Sequence, residues 1–140
     1  MCRAGLDSIR VSLNSCRREC YEAYFRPRGY DFEDLKESIR RMKANGRFAS
    51  INYFVLPGFT DREDEFESLC GFIEETGLDL IQMRNLNIDP EWYLKQMAQG
   101  RETVAAMGVR TLMTRLLEGY PRLRFGYFNP CLDAGADHVF

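Results

Sequence analysis

The sequence predicts an α/β fold with a parallel sheet, and three observations support this class. Three short segments alternate apolar and polar residues, which is the period of a β-strand. Segments with the spacing of amphipathic helices lie between them. Because strand and helix alternate along the chain, the strands are predicted to run parallel and to be joined by right-handed crossovers. The 140 residues, 45% of them hydrophobic, are enough for one domain with a buried core, predicted to span residues 1–140.

The first strand is predicted over residues 6–13. Two sets of residues alternate along it: Ile9, Val11 and Leu13 on one face, and Arg10, Ser12 and Asn14 on the other. A short helix is predicted over residues 17–25, and the loop at residues 26–29 ends it. Asp31 is the predicted N-cap of the next helix, which residues 45–46 close. The apolar stripe of that helix consists of Phe32, Leu35, Ile39 and Met42.

The second strand is predicted over residues 48–56. Its two faces carry Ile51, Tyr53 and Val55 on one side and Ser50, Asn52 and Phe54 on the other. Residues 57–58, Pro-Gly, end the strand. A capping box formed by Thr60 and Glu63 is predicted to open the second crossover helix, and Gly77 to end it. The buried stripe of that helix is predicted to consist of Phe66, Leu69, Cys70 and Ile73.

The third strand is predicted over residues 78–84. Along it, Ile81 and Met83 alternate with Gln82 and Arg84. Residues 89–90, Asp-Pro, are the predicted N-cap and first residue of a short helix over residues 90–97. A last helix is predicted over residues 101–118, and the aromatic segment at residues 123–131 is predicted to be a short strand or an extended packing segment.

The polar faces of the predicted strands are the first indication of function. A doubly wound parallel sheet is covered on both faces and has continuously apolar central strands, and a closed eight-stranded barrel has an apolar interior. Here one strand face is polar instead, with Arg10, Ser12, Asn14, Ser50, Asn52, Gln82 and Arg84. This pattern favours a wider or incomplete barrel whose concave face holds a polar ligand. The alternative is an ordinary sheet whose polar face lies against solvent.

Composition and charge argue against several classes of function. The formal net charge is -2, so the chain lacks the basic field expected of a protein whose main activity is binding nucleic acid or a membrane surface. No apolar run approaches the roughly 18 residues of a transmembrane helix, and the first residues lack the apolar segment of a signal peptide. The sequence therefore predicts a cytoplasmic protein with no nucleic-acid partner and no membrane partner.

The five cysteines do not form a complete metal-binding pattern. Cys16 and Cys20 are predicted to share one face of the first helix, but no further ligand follows, and position 23 is Ala23. Since a structural metal site normally takes about four ligands, no metal ligand is predicted, and the thiols are predicted to be reduced. The cationic segment at residues 26–28 is predicted to be a solvated loop, and the terminal His138 is given no catalytic role.

Three stretches of the sequence, taken together, resemble a known family. They are residues 5–14, which end in Ser-Leu-Asn; residues 51–61, with Glu63 and Glu65 behind them; and residues 79–87. Their order, spacing and placement at strand ends resemble the fourth, fifth and sixth strands of the radical S-adenosylmethionine (radical SAM) superfamily. The similarity extends to about residue 99 and resumes at residues 124–130.

The resemblance implies a parallel βαβαβα half of a (βα)6 partial TIM-like barrel, with barrel units four to six followed by a helix and tail. Ligands of such folds bind at the carboxyl ends of the strands. The resemblance gives Ser12 a contact with the ribose or amino-acid part of S-adenosylmethionine, with Asn14 as its neighbour. The resemblance also implies that the backbone around residues 55–58 borders the adenine, and Gly58 permits close approach because it has no Cβ. By the same resemblance, Gln82 and Arg84 are expected near the methionine or ribose portion.

Asn52 is implied to face the substrate space. Each of these residues also has a purely structural interpretation: Ser12 as a strand-end serine, Gly58 as a turn glycine, and Arg84 as a solvated arginine.

One departure from the family pattern determines what the chain is expected to do. The family holds its [4Fe-4S] cluster with three cysteines spaced Cys-x-x-x-Cys-x-x-Cys after the first strand. No such triplet occurs here, since Cys16 and Cys20 follow a segment that resembles the fourth strand, and Ala23 replaces the third cysteine. S-adenosylmethionine and the [4Fe-4S] cluster are therefore expected in the full-length protein. This chain alone is expected to bind no cofactor tightly and to be inactive.

Three hypotheses follow from the sequence. The chain is the carboxy-terminal part of a radical SAM enzyme, either as an expressed fragment or as a truncated reading frame, and lacks the amino-terminal half-barrel. Alternatively, it is a non-catalytic α/β interaction module that forms a homodimer through open strand edges. A phosphate-binding fragment of an eight-stranded barrel is a third reading, but residues 57–60 are poor in glycine for an anion loop.

Overall fold

The structure, a computed structural model, describes residues 5–97 and 105–126. The predicted α/β class is confirmed, because strands and helices alternate along the chain. In chain order the elements are β1 (Ser8–Leu13), α1 (Arg18–Phe25), α2 (Phe32–Ala44), β2 (Phe48–Val55), α3 (Glu63–Thr76), β3 (Leu80–Asn85), α4 (Pro90–Met97), α5 (Val109–Gly119) and β4 (Arg124–Phe125). No helix within the described ranges is long and apolar enough to cross a bilayer.

The four strands form one all-parallel sheet in the order β1-β2-β3-β4. Sequential strands are thus neighbours in space, as in a barrel that is wound in one direction. Such an arrangement is compatible with part of a TIM-like barrel. Within the described part of the chain, β1 pairs on one side only and forms an edge of the sheet.

One face of the sheet is apolar and packs against α2 and α3. Ala49, Ile51 and Tyr53 of β2 and Ile81 of β3 are completely buried in this layer. The helices contribute Ile39 and other apolar side chains from their inner stripes. Because side chains alternate across a strand, burial of this face directs the intervening polar residues to the opposite face.

The predicted ends of α2 are confirmed. Asp31 caps its amino terminus, since its side chain accepts a hydrogen bond from the Asp34 N–H and the Asp34 carboxylate accepts one from the Asp31 N–H. Asn45 follows the last helical residue. The glycine predicted to end α3, Gly77, has a φ of 71°, a left-handed conformation that glycine adopts without steric cost.

The predicted capping box at the start of α3 is wrong. The helix begins at Glu63, its N-cap is Arg62, and no side chain caps it. Thr60 instead stabilises the turn before the helix, because its hydroxyl accepts a hydrogen bond from the Leu56 N–H at 2.9 Å. A hydroxyl that is engaged in the turn is not positioned to cap the helix.

The last helix begins later than predicted. α5 starts at Val109, whereas the predicted helix started at residue 101, and residues 101–104 lie outside the described ranges. The N–H groups of Met107 and Gly108 donate to the backbone oxygen and the carboxylate of Asp61, which holds this segment against the turn after β2. Gly108 has a φ of 90°, outside helical geometry.

The remaining boundaries differ by a few residues. β1 begins at Ser8 and β3 at Leu80, two residues later than predicted in each case. The predicted start of α4 is confirmed, since the Asp89 carboxylate accepts hydrogen bonds from the Glu91 and Trp92 N–H groups. The aromatic tail is predicted to be a short strand or an extended packing segment. Residues 123–126 of it are described and contain the short strand β4, and residues 127–131 lie outside the described ranges.

Candidate functional site

Three of the polar residues singled out in the sequence form a row across the sheet. Ser12 of β1 is in register with Asn52 of β2, and Asn52 is in register with Gln82 of β3. Neighbouring strands lie about 4.8 Å apart. The three side chains therefore stand side by side on the face opposite α2 and α3, and we call them the polar row.

The residues on either side of the polar row differ in character. Towards the carboxyl ends, Phe54 of β2 is in register with Arg84 of β3, which is exposed. The Phe54 ring lies 6.5 Å from that of Tyr24 and 6.3 Å from that of Phe25, both on α1. Arg84 is thus two residues beyond Gln82 on the same face, next to an aromatic group rather than within the row.

A cavity of about 410 Å³ opens beside Ser12 at the free edge of β1. Its lining comes from β1, α1, the loop after α1, and α2: Ile9, Arg10, Val11, Ser12, Tyr21, Phe25, Tyr30, Asp34, Leu35 and Ser38. This volume is in the range of small-molecule sites. Ser12 is the member of the polar row that also lines this cavity.

Asn14 lies apart from the polar row. It is completely buried, and its Nδ2 donates to the Cys20 carbonyl oxygen at 3.1 Å and to the Tyr93 hydroxyl at 3.0 Å. These contacts tie the end of β1 to α1 and α4. The structure therefore shows a supporting role for Asn14, and a contact with cofactor stays a prediction.

We expect Asn14→Ala to lower the free energy of unfolding by about 2 kcal/mol, because two buried polar groups lose their partner. Urea denaturation of the purified chain measures the change. Asn87→Ala, at an exposed asparagine, is the control and should have little effect. Equal stability of the two variants would show that the Asn14 contacts do not stabilise the fold.

Gly58 lies in the turn that follows β2, at the carboxyl edge of the sheet. Its φ is 92°, and a Cβ built on it would meet no atom within 4 Å. The glycine is therefore required by backbone conformation rather than by crowding. Its N–H donates to the Asp61 carboxylate at 2.7 Å, and the same carboxylate accepts from the Gly108 N–H at 3.0 Å. Asp61 thus fixes the turn on which Gly58 is presented.

A buried ionic group joins the segment after β1 to α3. Glu65 is completely buried, and its carboxylate accepts hydrogen bonds from the Ser15 hydroxyl at 2.8 Å and from Arg17 Nε at 2.6 Å. Burial raises the pKa of Glu65 above its ordinary value, although Arg17 and Ser15 both act to lower it. The Arg17 guanidinium also lies 5.8 Å from the centre of the Phe59 ring, next to the Gly58 turn.

The sequence interpretation missed the role of this ionic group. Glu65 precedes Leu69 by four residues and Phe72 by seven, so it stands on the apolar stripe of α3. An acid on a buried stripe is the signal that points to an internal partner. The spacing of residues along α3 does not identify the partners of Glu65, because Ser15 and Arg17 lie in the segment between β1 and α1.

The described residues offer no donor set for an iron–sulfur cluster. Cys16 precedes α1, and only Cys20 lies on that helix, so the prediction that both share a helix face is wrong. Burial raises the pKa of Cys16 well above its ordinary value and that of Cys20 to about 11, which favours the neutral thiols over the thiolates that ligate iron. In residues 5–97 and 105–126, no three His, Cys, Asp or Glu side chains are grouped to hold a metal ion.

The fold and the polar row define the class of this protein: a parallel α/β sheet, compatible with part of a TIM-like barrel, with hydrophilic side chains on the face opposite α2 and α3. The family model of the radical SAM superfamily matches residues 1–70, half of the chain. The chain belongs to the radical SAM superfamily. The stretch at residues 79–87, which resembles the sixth strand, lies beyond the matched residues. No curated protein and no solved structure matches the chain.

Proposed function

We propose that this chain forms one wall of the S-adenosylmethionine and substrate cavity of a radical SAM enzyme, as its fourth to sixth barrel units. The observation that carries the proposal is the polar row, in which Ser12, Asn52 and Gln82 stand in register on one face. The family match at residues 1–70 supports an assignment of this face to the binding of S-adenosylmethionine and substrate. Parallel barrel folds bind ligands at the carboxyl ends of their strands. The Gly58 turn lies at that edge, and the row crosses β2 and β3 one pair of residues before it.

The residues present fit part of the family's cofactor set. Ser12 is suited to contact the ribose or amino-acid part of S-adenosylmethionine, with Gln82 and Arg84 nearby and Asn52 towards substrate. Gly58 presents backbone without a Cβ where the adenine would pass. When bound, the cofactor and its [4Fe-4S] cluster supply the radical chemistry of the family. The described thiols do not fit the cluster, so we propose that its ligands come from a polypeptide segment outside these 140 residues.

This assignment makes the chain a carboxy-terminal barrel part that is inactive alone. We place it in the cytoplasm, where the reduced thiols at Cys16, Cys20 and Cys70 would be maintained.

The experiment compares this chain with a longer one. The first protein is the 140-residue chain, and the second joins it to any in-frame upstream sequence that carries the cysteine triplet. After anaerobic reconstitution, the joined chain should hold about four irons and bind S-adenosylmethionine by calorimetry, whereas the shorter chain should show neither. Equal S-adenosylmethionine affinity of the two proteins would contradict the proposal, as would upstream DNA without the triplet.

The free edge of β1 favours a second candidate function, self-association as a non-catalytic module. Ile9 and Val11 are only partly buried, whereas Ala49 and Ile51, beside them on β2, are completely buried. At this edge the apolar layer is only partly covered, and within the described ranges no strand pairs with the outer side of β1. Such an edge favours pairing with a second copy of the chain. Light scattering across a concentration series tests this. A concentration-dependent dimer supports the module, and a monomer throughout contradicts it.

A further inference from the structure

Two buried amide oxygens in the polar row have no partner. Gln82 is 6% exposed, and its Oε1 is inaccessible and without a hydrogen bond within the described part of the chain. The Oδ1 of Asn52, its neighbour in register, is in the same state. An acceptor buried without a donor costs on the order of 1–3 kcal/mol, so two adjacent ones demand an explanation.

The Oδ1 of Asn14, beyond the end of β1, is also buried without a partner among the described residues, but the buried hydroxyl one row towards the amino end has one. This hydroxyl belongs to Ser50 and donates to the Ile9 carbonyl oxygen at 3.4 Å. On the opposite face, Ile51 and Ile81 flank the two amides with apolar side chains. An apolar side chain at positions 52 and 82 would satisfy the fold without the desolvation cost.

We propose that Asn52 and Gln82 form an acceptor pair that selects the substrate. The pair would take a group with two N–H or O–H donors about 5 Å apart, one for each strand. Carboxylate and phosphate groups are disfavoured, because they bring further acceptors to two acceptors. The inference rests on the proposed function for the identity of the cavity. It assigns Gln82 to the substrate together with Asn52, instead of to the cofactor, and adds the chemical class of the substrate. A ligand with two donors removes the desolvation cost of the two oxygens, whereas a ligand without donors leaves that cost in place. This difference favours binding of the ligand with donors.

The first test measures stability, without cluster or cofactor. Gln82→Met and Asn52→Leu remove the acceptors, and each should raise the melting temperature by about 2–5 °C. Ser50→Ala is the matched control, because it removes a hydroxyl that has a partner, and it should leave the melting temperature unchanged or lower it. A fall in the melting temperature for both amide variants would overturn the proposal, because it would show that the amides stabilise the fold.

The second test measures binding with two matched probes. Malonamide carries two donor groups, and dimethyl malonate has a similar skeleton with acceptors only. In nuclear magnetic resonance titrations of the 140-residue chain, malonamide should shift the side-chain amide signals of Asn52 and Gln82 saturably. Dimethyl malonate should not, and Gln82→Met should abolish the response of Asn52. Equal shifts with both probes, or none with either, would contradict the acceptor pair. These outcomes need no iron or S-adenosylmethionine, so they are distinguishable from failure of the proposed function.

Discussion

Replacing Arg17 by methionine should destabilise the fold by about 3–5 kcal/mol at neutral pH, since it leaves the Glu65 carboxylate buried without its cation. Glu65 is completely buried, and Arg17 Nε lies 2.6 Å from its Oε1. Ser15 remains as one donor, which is too little for a desolvated charge. Urea denaturation at several pH values gives the change in the free energy of unfolding.

The pH dependence identifies the carboxylate as the cause. Burial already raises the pKa of Glu65 above its ordinary value of 4.5, and removal of Arg17 should raise that pKa further. The folded variant then holds a proton that the unfolded chain releases near pH 4.5. Its stability should therefore fall as pH rises from this value through the folded-state pKa and recover as pH is lowered.

Two variants control this experiment. Arg18→Met removes an adjacent arginine whose partners, Glu22 and Asp31, are partly exposed, and it should change stability little. Adding Glu65→Gln to Arg17→Met should restore much of the loss, because a neutral amide costs less to bury. A loss in Arg17→Met that is independent of pH and not rescued by Glu65→Gln would contradict the assigned role of Glu65.

Phe59→Ala should be the second large effect, a loss of about 3–5 kcal/mol. Phe59 is 1% exposed and packs edge-on against Tyr93 of α4 at 5.3 Å between ring centres. It shares a buried cluster with Cys20 and Met97. The cluster connects α1, α4 and the Gly58 turn, so its loss should loosen the carboxyl edge of the sheet. The fluorescence of the single tryptophan, on α4, measures the unfolding transition.

Matched substitutions separate cavity formation from loss of surface area. Phe59→Leu keeps most of the buried volume and should cost less than Phe59→Ala. Leu94→Ala, on the exposed side of α4 at 44% exposure, should be nearly neutral. Similar losses for Phe59→Ala and Leu94→Ala would show that the cluster does not support this edge.

Local sequence rules were sufficient where one segment determines its own structure. Asp31 caps α2 and Gly77 ends α3 as predicted, because each acts within one turn of its helix. Strand alternation likewise placed Ser12, Asn52 and Gln82 on the polar faces of their strands. Their alignment in one row depends on the pairing register of the strands. Alternation leaves this register undetermined by multiples of two residues, because such a shift keeps every side chain on the same face.

Long-range contacts account for what the sequence did not predict. The start of α5 depends on Asp61, 47 residues before Gly108, and the burial of Glu65 depends on Ser15, 50 residues before it. Thr60 had the spacing of a capping box with Glu63, but the turn uses its hydroxyl. In the first two cases tertiary structure selects the partner, whereas the Thr60 bond is local, to a residue four positions earlier.

Two features of the fold border the proposed cavity. The polar row supplies hydrophilic groups on the face opposite α2 and α3, and Glu65 with Arg17 holds the segment that follows β1 against the start of α3. Phe59 anchors the neighbouring turn. The Gly58 turn and the end of the strand that carries Ser12 are therefore supported from within the fold, which is the condition for a preorganised ligand site.

The affinity of the joined, cluster-containing chain for S-adenosylmethionine, compared between Ser12→Ala and Ser68→Ala, tests the central claim most directly. Ser68 lies on α3 and donates to the Asp64 carbonyl oxygen, away from the polar row. If the row faces the cofactor, Ser12→Ala should weaken binding about tenfold, as expected for loss of one hydrogen bond, and Ser68→Ala should leave it unchanged. Indistinguishable affinities of the two variants would contradict the claim that this face forms the cofactor wall.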